Sequence, residues 1–236
     1  MALHRGLEGI EAAESKVCLI DGIKGQLSYR GYDIFPLAEH STFEEATYLL
    51  WHGELPTRAQ LEPFRADLSA ARRLLPEVSA LISKFPRTAD PMDVLRSAVS
   101  CLGMYDPDVK SNDRQATVRK AIRLTAQIPT AVAAFHRTRR GLAPLEPKGT
   151  LSHAANFLYL LSGVEPDELS AHTFDVALIL HADHGFNAST FAARVTASTL
   201  ADLHSCITSA IGTLKGPLHG GANEEVMRVL QEVGSA

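Results

Sequence analysis

The sequence predicts an all-α protein with one short β-hairpin near its N-terminal end. Two observations carry this prediction in a chain of 236 residues. Residues that favour strands cluster only before residue 33, and a turn signal follows them. After that point, helix-capping residues repeatedly stand ahead of apolar residues at helical spacing. No internal repeat interrupts this pattern. A chain of this length is expected to form one large domain or two small ones.

The β-hairpin is predicted within the segment SKVCLIDGIKGQLSYRGY, residues 15–32. Val17 to Ile20 is rich in residues that favour strands. Asp21 and Gly22 form a turn signal, and Gly25 permits the chain to return. These features predict two short extended arms that lie side by side.

Helix starts are marked by capping residues at several places. Ser41 and Thr42 each have a glutamate three residues later, and Thr57 stands in the same relation to Gln60, which is the spacing of a capping box. Asp90 combines an N-cap with a proline at the next position. With the apolar periodicity, these signals predict helices at residues 43–53, 57–75, 92–104, 113–140, 152–161, 166–181, 189–212 and 219–233.

Proline and glycine predict two interruptions of the helical pattern. Pro129 lies inside the longest predicted helix, where proline removes a backbone donor and clashes with the preceding turn. We therefore expect a kink or break near Ile128. The segment GLAPLEPKG at residues 141–149 predicts a loop.

The composition excludes several classes of function. A formal net charge of −4 gives no general attraction to nucleic acid or to anionic lipid. No apolar run approaches the ~20 residues that a membrane helix needs. The N-terminus resembles neither a signal peptide nor a transit peptide, so we expect a cytoplasmic protein. Cys18, Cys101 and Cys206 are far apart and are expected to be reduced.

A dense polar cluster occupies HADHGFNAST, residues 181–190. On a helix, His181, His184 and Asn187 would share one face, although Gly185 suggests that the helix does not continue smoothly. Three interpretations are open: hydrogen-bond donors for a small carboxylate, a metal site, or a buried polar network without a ligand. Spacing alone favours the network, because the metal site lacks a clear third ligand.

A second histidine, His219, lies in the segment LKGPLHGGANEEV among glycines and a proline. A histidine in a glycine-rich turn at a helix start is accessible to a substrate and suited to proton transfer. The segment can also be a simple turn. Because another polar cluster precedes it by one helix-like stretch, we expect the two histidine-centred turns to form the walls of one cleft.

Four ordered segments carry a resemblance to a known family: LIDGIKGQLSYRGYDI, LSHAANFLYL, ILHADHGFNAST and LKGPLHGGANEEVM. They resemble the corresponding segments of bacterial citrate synthases in order and spacing, and the similarity runs over essentially the whole chain. The resemblance implies a mostly helical homodimer with active sites between a large and a small domain. It divides this chain into an N-terminal extended arm (1–36), a helical large domain (37–218), and a catalytic-histidine turn and helix leading toward the small domain (219–236).

The resemblance also implies a reaction, in which the enol of acetyl-CoA attacks oxaloacetate and the resulting thioester is hydrolysed. His219 matches the histidine that contacts the thioester carbonyl, and His184 matches one that contacts oxaloacetate. His181 and Asn187 are expected to support substrate binding, and Ser189 to orient His219. No metal and no cofactor are implied, since acetyl-CoA is a substrate.

One departure from the family pattern limits the functional expectation. Family members continue beyond residue 236 with a further substrate histidine, the catalytic aspartate and the arginines that bind oxaloacetate. Asp183 and Asp202 match neither the position nor the context of that aspartate. We therefore expect the N-terminal part of a citrate synthase that is inactive by itself. The alternatives are a 2-methylcitrate synthase that uses propionyl-CoA, and an inactive helical scaffold that dimerises.

Overall fold

The structure is a computed structural model that describes residues 13–220, 228–229, 231–232 and 234. Its strands are β1 (Cys18–Asp21), β2 (Gln26–Tyr29) and β3 (Tyr32–Asp33), which form one antiparallel sheet in the order β1-β2-β3. Cys18 pairs with Tyr29 in β2, and Asp21 pairs with Gln26 across the turn. The predicted hairpin is therefore confirmed, and β3 extends it by a short third strand.

All other regular elements of the described chain are helices, which confirms the all-α prediction. Their bounds are α1 (Ile34–His40), α2 (Phe43–His52), α3 (Arg58–Ala70), α4 (Pro76–Lys84), α5 (Pro91–Tyr105), α6 (Arg114–Arg139), α7 (His153–Ser162), α8 (Glu168–Leu180), α9 (Ala188–Ser198) and α10 (Leu203–Leu214). No helix in the described ranges is both long and apolar enough to cross a bilayer. Cys18, Cys101 and Cys206 form no disulfide.

Local capping chemistry sets several helix starts where the sequence predicts them. Of the two overlapping candidates before α2, Thr42 is the N-cap: its hydroxyl accepts the Glu45 N–H at 3.4 Å, and the Glu45 carboxylate accepts the Thr42 N–H at 2.8 Å. The helix ends at Gly53, which has a φ of +96°. At the start of α5, Asp90 accepts the Met92 N–H at 2.8 Å.

Two helix predictions were wrong. The predicted helix 57–75 stops at Ala70, because Pro76 holds Leu75 in an extended conformation and starts the separate helix α4. The predicted helix 189–212 is divided into α9 and α10 by a turn in which Leu200 has a φ of +64°. Most of the predicted helix 219–233 lies outside the described residues.

The break expected near Ile128 does not occur, since α6 runs as one helix through Pro129. Proline costs one backbone hydrogen bond, but tertiary packing stabilises most helices more than local preference does. Alanines on both sides of Pro129 are buried, including Ala126, Ala131 and Ala134. The helix packs against α4 and α5 on one side, α3 on another and α10 on a third.

A second core joins the sheet to the helical body. It contains Tyr29 from β2, Leu37 from α1, Leu49 from α2 and Ile179 from α8. The hydroxyl of the fully buried Tyr29 lies 3.0 Å from the carbonyl oxygens of both Ile179 and Asp183. This strand therefore fixes the end of α8 and the segment that follows it.

A buried chain of polar contacts connects α8, α2 and α7. Asp175 on α8 accepts the Phe43 N–H at the start of α2 at 3.0 Å. Glu44 on α2 in turn accepts the His153 N–H at the start of α7 at 2.9 Å. Arg72 donates to the carbonyls of the loop before α7 at 2.8 and 2.9 Å. Each carboxylate thus caps the N-terminus of a neighbouring helix.

Candidate active site

Helix α8 ends at the first histidine of the predicted cluster. The backbone N–H of His181 donates to the Ala177 carbonyl at 3.2 Å, and its ring Nδ1 lies 2.7 Å from the same oxygen. Because a carbonyl oxygen only accepts, Nδ1 of His181 carries a hydrogen. The ring therefore closes the end of α8 and has only Nε2 left for another partner.

The segment from His181 to Asn187 is a loop rather than a continued helix. Gly185, with a φ of +80°, donates its N–H to the Asp183 carboxylate at 2.8 Å. Tyr29 bonds both the carbonyl and, at 3.2 Å, the N–H of Asp183. The loop is thus held from its own side and from β2, and the exposed side chain of His184 extends from it.

One thiol faces this loop from β1. Burial and the Asp183 carboxylate raise the pKa of Cys18 to about 12. The thiol is therefore protonated at neutral pH and is a poor nucleophile there. No group of three or more histidine, cysteine or acidic side chains in the described residues is arranged to hold a metal ion.

Helix α9 begins at the other end of the loop with Asn187 as its N-cap. The Asn187 side-chain oxygen accepts the Thr190 N–H at 2.8 Å and lies 2.7 Å from the Ser189 hydroxyl. An asparagine is among the best N-cap residues because its side chain satisfies a free N–H of the first turn. The cap therefore fixes Ser189 and Thr190 relative to the loop.

The turn after α10 brings His219 to this helix start. The Gly220 N–H donates to the Leu214 carbonyl at 3.0 Å, and the His219 N–H donates to the Gly216 carbonyl at 2.9 Å. A Cβ on Gly220 would lie 2.2 Å from the Leu214 oxygen, so only glycine fits this closed turn. The half-buried ring of His219 is held between the turn and the start of α9.

Two contacts define the orientation of the His219 ring. Its Nε2 lies 3.2 Å from the backbone nitrogen of Ser189 and 2.9 Å from the Ser189 hydroxyl. The backbone hydrogen is fixed by the peptide plane, whereas the hydroxyl hydrogen rotates. Nε2 must therefore accept, which assigns the hydrogen of the neutral ring to Nδ1.

The structure thus brings together three of the five predicted site residues: Asn187, Ser189 and His219 form one connected set of contacts. His181 bonds back to α8, and His184 forms no hydrogen bond within the described residues. Asp183 accepts a backbone N–H in its own loop. Sequence reasoning missed Tyr29, because its partners lie 150 and 154 residues away along the chain.

The chain matches the protein family described as "Citrate synthase, C-terminal domain" over residues 6–236. A citrate synthase of Haloferax volcanii is 52% identical over 98% of this chain and 62% of its own length. Citrate synthase 2 of Bacillus subtilis is 48% identical over 99% of this chain and 63% of its own length. A 2-methylcitrate synthase of Mycobacterium tuberculosis is 44% identical over 98% of this chain and 58% of its own length. The chain therefore spans about 60% of the length of these relatives.

Two solved structures have the same fold. The citrate synthase from Pyrobaculum aerophilum aligns with a TM-score of 0.92 and 44% identity, and the match covers 98% of this chain and 59% of that one. The citrate synthase from Thermotoga maritima aligns with a TM-score of 0.86 and 40% identity over 99% and 62% of the two chains. Both matches include nearly all of the helices described above.

Proposed function

Because the chain belongs to the citrate synthase family, we propose that it supplies part of the active site of a citrate synthase. The activity is the condensation of acetyl-CoA with oxaloacetate to give citrate and CoA. The single observation that supports this proposal most is the contact of His219 with the start of α9. It leaves the ring neutral with a hydrogen on Nδ1, which is suited to donate to an oxygen where negative charge develops.

In the proposed reaction, His219 donates from Nδ1 to the thioester oxygen of acetyl-CoA while a methyl proton is removed. The Ser189 N–H holds Nε2 in the acceptor role, so the donor side of the ring is fixed before substrate binds. His184 binds oxaloacetate from the loop, with His181 and Asn187 as its supports. No cofactor takes part in this scheme.

The base that removes the methyl proton is proposed to lie outside the described residues. Within the described ranges, no aspartate or glutamate hydrogen bonds to His219 or Ser189. Asp183 is bonded to Gly185 and lies beside the Cys18 thiol instead. From the family resemblance we propose that the chain alone has no turnover and that a homodimer with a complete small domain is the active form. A cytoplasmic location remains a prediction.

The test is thiol release from acetyl-CoA in the presence of oxaloacetate, with the chain alone and with an added segment that supplies the rest of a relative's length. We expect activity only in the mixture, and we expect His219→Ala to abolish it. A matched control is His40→Ala, which removes an exposed histidine from the end of α1. Activity of the chain alone would contradict the proposal that the chain has no turnover by itself.

Propionyl-CoA is the second acyl donor to test, because a 2-methylcitrate synthase is among the relatives. A preference for propionyl-CoA in the same assay would assign the chain to that activity. If the folded mixture releases no thiol with either donor but the chain dimerises, the inactive dimerising scaffold is the better description.

A further inference from the structure

Helix α10 carries the His219 turn at its end, and its beginning is fixed on α5. His204, near the start of α10, is 2% exposed and packs against Gly103, where an added Cβ would lie 2.9 Å from the His204 Cβ. Its Nε2 lies 3.5 Å from the Asp106 carboxylate at the end of α5. These contacts hold the two antiparallel helices close together at this end.

A single lysine fixes the other end of α10 to the start of α5. Lys215 is the C-cap residue of α10, and its Nζ lies 2.5 Å from Asp93 Oδ2 and 3.8 Å from Asp90 Oδ2. Asp90 is the N-cap of α5, and Asp93 lies in its first turn. A hydrogen bond from Lys215 holds the pKa of Asp93 below its usual range, so the Asp93 carboxylate is charged at neutral pH.

The chain between this anchor and His219 has little freedom. Gly216 donates its N–H to the Thr213 carbonyl at 3.1 Å, and the Gly220 N–H reaches back to Leu214. Leu218, between them, is fully exposed among the described residues. Two side-chain contacts thus hold the turn: the Lys215 ion pair with Asp93 at one side and the His219–Ser189 contact at the other.

From this arrangement we infer that Lys215 is a positioning residue for His219. By tying the end of α10 to Asp93 and Asp90, it keeps the His219 ring against the Ser189 N–H and so fixes which ring nitrogen carries the hydrogen. The inference rests on the proposed function for its catalytic meaning. The position and tautomer of the ring are properties of the chain itself and are measurable without substrate.

The experiment is long-range ¹H–¹⁵N NMR of the histidine rings in the 236-residue chain. In the wild type we expect His219 to show the separate nitrogen shifts of an Nδ1–H tautomer. Lys215→Met keeps the length of the side chain and removes the charge; we expect the two shifts to move toward their mean as both tautomers become populated. Lys215→Arg should restore the wild-type shifts, because it restores the charge pair with Asp93.

The matched control is Lys148→Met, which removes a lysine of similar exposure from its 2.5 Å ion pair with Glu165, and it should leave the His219 signals unchanged. Asp93→Asn also breaks the ion pair with Lys215, together with the 2.9 Å contact between Asp93 and Arg96 on the same helix, and it covers the case in which Lys215→Met fails to fold. Unchanged His219 shifts in folded Lys215→Met and Asp93→Asn would overturn the inference. A lower melting temperature with unchanged shifts would show a structural role only.

An activity measurement separates this inference from the proposed function. In the complemented enzyme, meaning the mixture of this chain with the added segment described above, Lys215→Met should lower kcat about 10- to 100-fold. Small displacements of a catalytic group lower the reaction rate by factors of this order. The KM for oxaloacetate should not change. If the NMR shifts respond to Lys215→Met but no variant or wild type releases thiol, the proposed function fails and the positioning role stands.

Discussion

Two buried residues in the chain of helix caps have pKa values shifted in opposite directions. Burial and the nearby Glu44 raise the pKa of Asp175 to about 6, and burial lowers the pKa of His153 to about 4. One oxygen of Asp175 and Nδ1 of His153 have no hydrogen-bond partner within the described residues. Burial therefore favours the neutral form of each group more strongly in the folded protein than in the unfolded chain.

These shifts predict how stability depends on pH. Between pH 4 and 6 the folded state binds more protons at Asp175 than the unfolded state does, so this group makes stability fall as pH rises. His153 acts in the opposite direction between pH 4 and 6.5, because there the unfolded state binds more protons. The two contributions partly cancel in the wild type.

Asp175→Asn should remove only the Asp175 contribution, since the amide oxygen can still accept the Phe43 N–H. We expect the free energy of unfolding to rise more steeply between pH 4 and 6.5, and to exceed the wild-type value at pH 7 by about 1–2 kcal/mol. Urea unfolding at several pH values measures this. Equal pH profiles for variant and wild type would contradict the assigned shift of Asp175.

Gly220 offers a test of the His219 turn. Gly220→Ala places a Cβ 2.2 Å from the Leu214 carbonyl oxygen, which the closed turn cannot accommodate without moving. We expect a loss of about 100-fold or more in kcat of the complemented enzyme, because His219 leaves Ser189. Gly22→Ala is the control, since nothing lies within 4 Å of its added Cβ. Wild-type kcat in Gly220→Ala would show that the turn is not closed in this way.

At the scale of elements, a helix start could be predicted from the sequence when one residue and its near neighbours determine it. Thr42 with Glu45 and Asp90 with Pro91 are such cases, because cap and helix are adjacent in the chain. The helix division at Leu200 was not predicted, since a leucine rarely adopts a positive φ. The His219–Ser189 contact was predicted only through the family resemblance, because 30 residues separate the partners.

Leu200 also gives a prediction about the turn between α9 and α10. It has a φ of +64° and is 79% exposed, so its side chain adds strain without much burial. Leu200→Gly should raise the free energy of unfolding by about 0.5–1 kcal/mol, because glycine adopts this conformation freely. Leu200→Ala is the control, as it removes the side chain but keeps the strain. Equal stability of the two variants in urea would argue against strain at this position.

At the scale of the whole molecule, several exposed apolar side chains lie on α9 and on segments next to it in the chain. Helix α9 has no buried residue, and Val195 on it is half exposed. Leu180, Leu200, Leu214 and Leu218 on neighbouring segments are exposed as well. Exposed apolar side chains of this kind can be covered by another part of a protein or by a partner.

We expect the chain alone to self-associate at micromolar concentration through these exposed apolar side chains. A double variant, Val195→Asp with Leu218→Asp, should reduce the apparent mass in light scattering, because charge opposes burial of the surface. Leu142→Asp, at an exposed loop on another part of the molecule, should have no effect. A monomeric wild type at the same concentration would contradict this expectation.

The Tyr29 hydroxyl has a consequence for how the chain is made. Its partners, Ile179 and Asp183, leave the ribosome 150 residues or more after Tyr29 does. Because synthesis proceeds at about 5–20 residues per second, roughly 10–30 seconds pass between the synthesis of Tyr29 and that of its partners. During synthesis the side chain of Tyr29, which is fully buried in the folded protein, therefore stays without these partners until α8 and the loop after it have emerged.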